Sequence, residues 1–374
     1  MLTMQGRYNT ANIMSDEIDA VTKEQIQGFL DHPAFAGEQI AIMPDCHAGK
    51  GAVIGFTMKV SRYVIPNVVG VDIGCGMLMA KYPLRNVNLP DLDATIKQVI
   101  PSGFAINGRV DADRRTISEV TEVSKTIGIE SEKALRAVGS LGGGNHFIEV
   151  GYDREHRLVL TIHSGSRNFG KCVAEFYQRR ARAWLEEQGI CNNYRDLEFM
   201  QVDSAAARDY LHALGVAQRF AATNRREMLR RLSVFLRSEP IETIESVHNF
   251  IGDDNIIRKG ATPARLGERV ILPFNMADGI AVCVGKGSEK FNYSAPHGAG
   301  RIMSRSQAKK TLSLPDFTAR MKKAGVYTTT ATRATLDEAP GAYKTKGTIL
   351  ANIAETVDVV EFIKPVYNFK AGGD

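Results

Sequence analysis

The stretch Val71-Asp-Ile-Gly-Cys-Gly-Met77 decides how this chain is read. A carboxylate and a thiol stand three residues apart on a backbone that glycine allows to approach a ligand closely. Four histidines recur downstream in equally short polar and glycine-rich contexts: Gly142-Gly-Gly-Asn-His146, His163-Ser-Gly-Ser-Arg167, His248-Asn249 and His297-Gly-Ala-Gly-Arg301. A thiolate, a carboxylate and several imidazoles suit borderline divalent ions such as Mn, Zn or Fe.

Working outward, residues 40 to 80 are short apolar runs punctuated by glycine and proline: Gln39-Ile-Ala-Ile-Met43, Ala52-Val-Ile-Gly-Phe56 and Val68-Val-Gly-Val71. They read as buried strands joined by tight turns, with Asp72 and Cys75 just past a strand end. Leu158-Val-Leu-Thr-Ile162 before His163 and Arg269-Val-Ile-Leu272 repeat that logic, so a β-rich core carries ligands on the loops at its edges. Two stretches, near 171–188 and 204–237, space apolar residues as helices do, as in Leu211, Leu214, Met228, Leu232 and Phe235. Arg219, Arg225, Arg226, Arg230, Arg231 and Arg237 decorate the second, either as a solvated face or as an RNA-contacting one. No repeat or linker divides the chain, and the expectation is a single α+β domain over residues 1–374, its β-rich core flanked by helices.

At 374 residues and 44% hydrophobic content the chain can bury a sizeable core, which argues against disorder. Its 47 Lys and Arg against 42 Asp and Glu, a net +5, permit a nucleic-acid partner without demanding one. Five irregularly placed cysteines do not form a disulfide framework, and Cys75 would be wasted in one, so a reducing compartment is expected. With neither an apolar signal core at the N-terminus nor a membrane-spanning stretch, that compartment is the cytoplasm. Cys172, Cys191 and Cys283 lack ligand spacing, and His32, His156 and His212 sit where surface or packing roles are expected.

His297 is of a different kind from the other three. It lies in Ala295-Pro-His-Gly-Ala-Gly-Arg301, where Gly298, Ala299 and Gly300 leave room for a phosphate and Arg301 and Arg305 offer forked donors to its oxygens. This suits a nucleophile. The competing readings are a sixth metal ligand and a simple phosphate binder.

These strings, with Met43-Pro-Asp-Cys-His-Ala-Gly-Lys-Gly51 and Arg258-Lys-Gly-Ala261, resemble the signature blocks of the RtcB family of RNA ligases, in the family's order and spanning roughly residues 40 to 305. The resemblance implies a two-manganese site, with Cys75 between the ions. Cys75, His163 and His248 would hold one ion and Asp72, Cys75 and His146 the other; ligand type alone also admits Zn, Co or Fe. It further implies that His297 attacks the α-phosphate of GTP to form a guanylyl-histidine, assisted by Asp45. A 2′,3′-cyclic phosphate would be hydrolysed to a 3′-phosphate, which then accepts GMP, and a 5′-hydroxyl end displaces the GMP. Arg167 matches a position that grips the RNA 3′-phosphate. Asn145, Glu149 and Asn249 match guanylate contacts, and Lys370 the terminal lysine that reaches guanine.

The chain also departs from the family. A Pro-Gly-Ser-Met-Gly string and a following serine, which touch guanine, are replaced by Pro273-Phe-Asn-Met-Ala-Asp-Gly279, and the tail reads Phe369-Lys-Ala-Gly-Gly-Asp374 rather than ending almost on the lysine. The short chain is similar to a compact branch associated with a release-factor-like protein and with mending of cleaved ribosomal RNA, so a release-factor-like or activating protein partner is expected. Two rival functions stand beside the ligase: a dinuclear metallo-phosphoesterase in which His297 has no covalent role, and an RNA-end-binding factor without turnover, supported by the altered 273–279 stretch.

Overall fold

Alternation along the strand Gly76–Lys81 sets the architecture. Met77 and Met79 point to one side, where they pack with Phe147, Val159, Ile244, Ile271, Ile280, Val282 and Ile363. Leu78 and Ala80 point to the other, packing with Ile148, Val150, Leu160 and Ile162 against Met228 and Leu232 of the long helix Ala205–Leu236 and Leu92 and Ile96 of the helix Leu89–Val99. A strand buried on both faces reads as a continuous apolar run, as this one does. Each large side chain so covered contributes about 1.5–3 kcal/mol.

This strand belongs to a seven-stranded antiparallel sheet in the order Glu242–Val247, Gly76–Lys81, Leu158–Ser164, Phe147–Tyr152, Val357–Lys370, Ile280–Gly285, Arg269–Pro273. Its two edges curl back toward each other, with Arg269 Nη1 3.2 Å from Glu242 Oε1, so the sheet is nearly a closed barrel. A second sheet has six strands in the order Leu2–Gln5, Thr10–Ile13, Ile40–His47, Ile54–Lys59, Ile256–Lys259, Asn249–Ile251. The chain passes from the first sheet to the second at His248, between the strands Glu242–Val247 and Asn249–Ile251. The larger apolar core joins this second sheet to the helices Arg114–Ile127, Arg167–Glu187 and Ala205–Leu236.

These are the features of a computed structural model describing residues 1–190 and 194–372; Cys191 and the terminal Gly373 and Asp374 lie outside them. The α+β class stands, and the expected strands over 40–43, 158–162 and 269–272 and both helices are present. Val68–Val71 is a correction: it is no strand, because Pro66 starts a short helix, Pro66–Val69, that ends at Gly70 with φ +98°. The Asp72–Cys75 loop therefore precedes a strand rather than following one. No helix among the described residues is long and apolar enough to cross a membrane.

The arginines of the long helix also need correcting. Arg219 pairs with Glu119, Arg226 with Glu245 and Arg230 with Glu227, as on a solvated face. Arg225 is fully buried instead, donating to the carbonyls of Gly74 and Ser164 at 2.7 and 2.9 Å and pairing with Glu245. It clamps the loop that carries Cys75 to the strand that carries His163. Arg231 is turned inward to Glu227, Asp111 and the carbonyl of Val99.

Candidate metal centre and reaction cavity

Strand register gathers the ligands. Met77 lies opposite His163, which lies opposite Phe147, and the His248 N–H donates to the carbonyl of Cys75 at 2.9 Å. Counting by two from the inward-facing Met77, Val159 and Ile244 puts Cys75, His163 and His248 on the same inner face, at one mouth of the barrel. The same count, with the bulge between Pro365 and Tyr367, turns Glu149, Asn368 and Lys370 inward.

The donor atoms form a chain. Asp72 Oδ2 is 2.9 Å from His146 Nε2, which is 3.4 Å from Cys75 Sγ. Cys75 Sγ is 3.2 Å from His163 Nε2, itself 3.2 Å from His248 Nε2. The sulfur sits in the middle, beside His146 on one side and His163 on the other. Cys75, His146 and His163 are close enough to hold one ion together. Gly165 keeps this arrangement open, since any side chain there would overlap Asp72 Oδ1.

The donor set fits a metal. His146 Nδ1 lies 2.9 Å from the carbonyl of Leu141 and His163 Nδ1 3.2 Å from that of Asn145, so each Nδ1 donates its proton backwards and each Nε2 lone pair faces inward. Burial, reinforced by neighbouring cationic groups, holds His163 and His248 well below the usual imidazole range, so both are neutral as a ligand must be. Burial and then the charge of Asp72 push the Cys75 thiol well above its usual value, and a divalent cation is what would ionise it. For Asp72, burial acts upward, but the adjoining His146, Cys75 and Arg167 side chains together outweigh it and the carboxyl is held low.

His297 stands beside this cluster, its ring 4.7 Å from that of His248. It follows the short strand Ser294–Pro296, which pairs with Ala261–Pro263, and His248 accepts from the N–H of Gly260 at the start of that segment. His297 Nδ1 is 2.7 Å from Oδ2 of the fully buried Asp45, which leaves Nε2 as the nitrogen free to react. Gly300, with φ +69°, lies so close to the backbone of Asp45 that a side chain there would overlap it. His248, His297, Asp72 and Cys75 all line a cavity of about 280 Å³.

The other residues singled out in the sequence fall in two places. Asn145, Glu149, Asn249, Gly298, Ala299, Gly300, Arg301 and Lys370 line the cavity, whereas Asp45, His146 and Arg167 are not among its lining residues. Arg167, with φ +57°, donates from Nη2 to the carbonyl of Gly103 at 2.6 Å and packs against Gly142, on the His146 side. Asn249 donates to the carbonyl of Asp72 and accepts from Gly260 N, tying the metal loop to the His297 side. Arg301 spends its fork on Glu338, the Asp337 carbonyl and the Met303 carbonyl. Lys370 Nζ is 2.8 Å from Glu338 Oε2.

Glu338, Tyr343 and Asn368 went unnoticed in the sequence. Buried Glu338 gathers Arg301, Arg305, Lys370 and Tyr343; burial acts upward on it, but the Lys370 and Arg305 charges keep it ionised. Asn368 donates to Glu149 Oε2 at 2.8 Å. Burial raises Glu149 to about 8 against the opposing effects of Asn368 and Lys370, so it carries a proton at neutral pH. Asn368 could have been found by counting two back from Lys370; nothing local marks Glu338.

A nearly closed barrel with a buried Cys75–His146–His163 group that could hold a metal ion, and a carboxylate-held histidine beside it, fits the class of metal-dependent enzymes. A family model described as tRNA-splicing ligase RtcB matches residues 25–132 and 122–371. The RNA-splicing ligase RtcB of Escherichia coli strain K12 is 30% identical, over 93% of this chain and 94% of its own length. The tRNA-splicing ligase RtcB of Aeropyrum pernix is 27% identical over 85% and 84%, and the RNA-splicing ligase RtcB of Mycobacterium tuberculosis 28% over 81% and 89%. The chain belongs to the RtcB family of RNA-splicing ligases.

Proposed function

We propose that this RNA ligase joins RNA 3′-phosphate or 2′,3′-cyclic phosphate ends to 5′-hydroxyl ends, in RNA repair or tRNA splicing, using GTP and manganese. The observation that carries the reading is the Asp45–His297 pair at 2.7 Å, opening on the same cavity as the Cys75 cluster. A phosphoesterase would need the cluster but not a further histidine oriented by a buried carboxylate, and an end-binding factor would need neither.

The Asp45 carboxylate accepts a hydrogen bond from the Nδ1–H of His297 and holds the tautomer in which Nε2 carries the lone pair. That nitrogen bonds to the α-phosphorus of GTP as the bond to the pyrophosphate oxygen breaks, and pyrophosphate leaves. Asp45 then stabilises the positive charge left on the imidazole. The RNA 3′-phosphate takes the guanylyl group from His297, and the 5′-hydroxyl oxygen finally displaces GMP. Protonated Glu149 offers an O–H donor and Asn368 an amide to the nucleotide, while Lys370 supplies the positive charge. Arg167 orients the RNA 3′-phosphate from the His146 side. Two ions, held by Cys75 with His163 and His248 and by Cys75 with Asp72 and His146, would supply charge stabilisation for phosphoryl oxygens.

His297→Ala tests the assignment. The variant should take no label from α-labelled GTP and fail to join a 3′-phosphate end, yet seal RNA supplied as a 3′-guanylate to a 5′-hydroxyl end. Joining of unactivated ends at the wild-type rate would remove His297 as the nucleophile.

A further inference from the structure

Positive charge is concentrated just after the catalytic loop. Residues 301–323 hold seven Lys and Arg against the single Asp316, a net +6 in a chain whose total is +5, so the remainder is close to neutral. Arg301, Arg305 and Lys309 face inward to Asp337 and Glu338. Arg320 and Lys323, on the helix Leu314–Ala324, instead line a groove of about 820 Å³. Lys346, Lys364 and Phe362 also line it.

The groove is continuous with the chemistry. Asn275 and Tyr343 line both it and the reaction cavity. At its other end Arg320 and Lys323 also border a second hollow of about 320 Å³ beside Ser313. The groove's one lining carboxylate among the described residues, Asp278, is held by Asn275 Nδ2 at 2.6 Å, and Asp316 in the further hollow is turned to Ser313 Oγ. Arg320, Lys323, Lys346 and Lys364 form no ion pair among the described residues, in contrast to Arg219, Arg226 and Arg230 of the long helix. Phe362 is 45% exposed on a sheet strand, with Lys346 Nζ 3.5 Å over its ring.

We propose that this groove binds single-stranded RNA of the substrate beyond its reacting end, an inference that rests on the RNA-ligase reading. An end-joining enzyme must hold strands that lead away from the junction, and a cationic channel opening on the cavity offers such a path. Unpaired Lys and Arg along a channel with an exposed aromatic ring are what a phosphate backbone and an unstacked base require. A protein partner would favour a centre depleted of lysine.

The test compares wild type with the triple variant Arg320→Gln/Lys323→Gln/Lys364→Gln, and with the charge-keeping triple Arg320→Lys/Lys323→Arg/Lys364→Arg. Fluorescence anisotropy of a 20-nucleotide single-stranded RNA is followed against salt, and α-labelled GTP incorporation reports the cavity. The neutral triple should bind RNA roughly ten- to a hundredfold more weakly, with a log–log salt slope shallower by about 2, as expected for three lost phosphate contacts on a single strand. Its guanylylation should be unchanged, and the charge-keeping triple should bind as wild type. Phe362→Ala should weaken binding about tenfold without changing the slope. Wild-type affinity and slope in the neutral triple would overturn the proposal while leaving the ligase reading intact. If wild type joined no RNA ends, the ligase reading would fail, and loss of RNA binding in the neutral triple would then place RNA in the groove without that reading. An equal loss in both triples, or loss of label in the neutral one, would mark the positions as structural and also overturn it.

Discussion

Asp45 Oδ2 and His297 Nδ1 meet at 2.7 Å although 252 residues separate them in sequence, and the carboxylate is completely buried. The pair engages Nδ1, so in the proposed reaction Nε2 is the attacking nitrogen. Asp45→Asn keeps the shape but allows the wrong tautomer, so guanylylation should fall roughly 10²- to 10⁴-fold. Metal content, measured on the same preparation, should not change. A variant labelled by α-labelled GTP at the wild-type rate would show that Asp45 only packs against the histidine.

Cys75 lies between His146 and His163, within 3.4 and 3.2 Å of their Nε2 atoms. Cys75→Ala and His163→Ala should each lose bound metal by elemental analysis and drop label incorporation to background. Cys75→Ser should be nearly as severe, because a neutral hydroxyl is a much poorer ligand than a thiolate. Chelation of the wild type followed by return of Mn should restore labelling, whereas the same treatment should leave Cys75→Ala inactive.

Nucleotide choice should be looser than in relatives that carry the serine string. Asn275, the polar residue best placed to replace it, spends its amide on Asp278 and its oxygen on the N–H groups of Ala277 and Asp278. Losing base-edge hydrogen bonds relaxes discrimination by about 1–3 kcal/mol, roughly ten- to a hundredfold. Competition between labelled GTP and unlabelled ATP measures it; a strict preference for GTP would mean that the base is read by other groups.

Lys259 is buried, and its ammonium donates to the carbonyls of Lys50 and Asn67 with no carboxylate partner among the described residues. Burial, with a smaller contribution from Lys50, lowers it to about 7. Below that pH both folded and unfolded chains hold the proton, and the fold bears the full cost of a buried charge. Between about 7 and the usual lysine value near 10.5 the unfolded chain binds the extra proton, so stability rises with pH through that window. The melting temperature of wild type relative to Lys259→Met should therefore climb from pH 7 to 9.5. A difference that stays flat would show that the lysine titrates normally.

The sequence by itself determined the α+β class and the two helices, and which donor types are on offer for a metal, because residue type and period are local properties. The structure puts Phe274 and Asn275 of the 273–279 stretch on the cavity wall. The sequence misplaced Val68–Val71, where a short apolar run suggested a strand and Pro66 had already begun a helix. It could not tell that Arg225 among six arginines turns inward, since burial of a charged side chain is decided by the two carbonyls and the carboxylate it finds there. Nor could it pair ligands drawn from residues 72 to 248, or bring Asp45 to His297 and Glu338 to Lys370. Those meetings depend on strand register and barrel closure, which bring distant segments to a common mouth. A side-chain period of two then decides which residues face it.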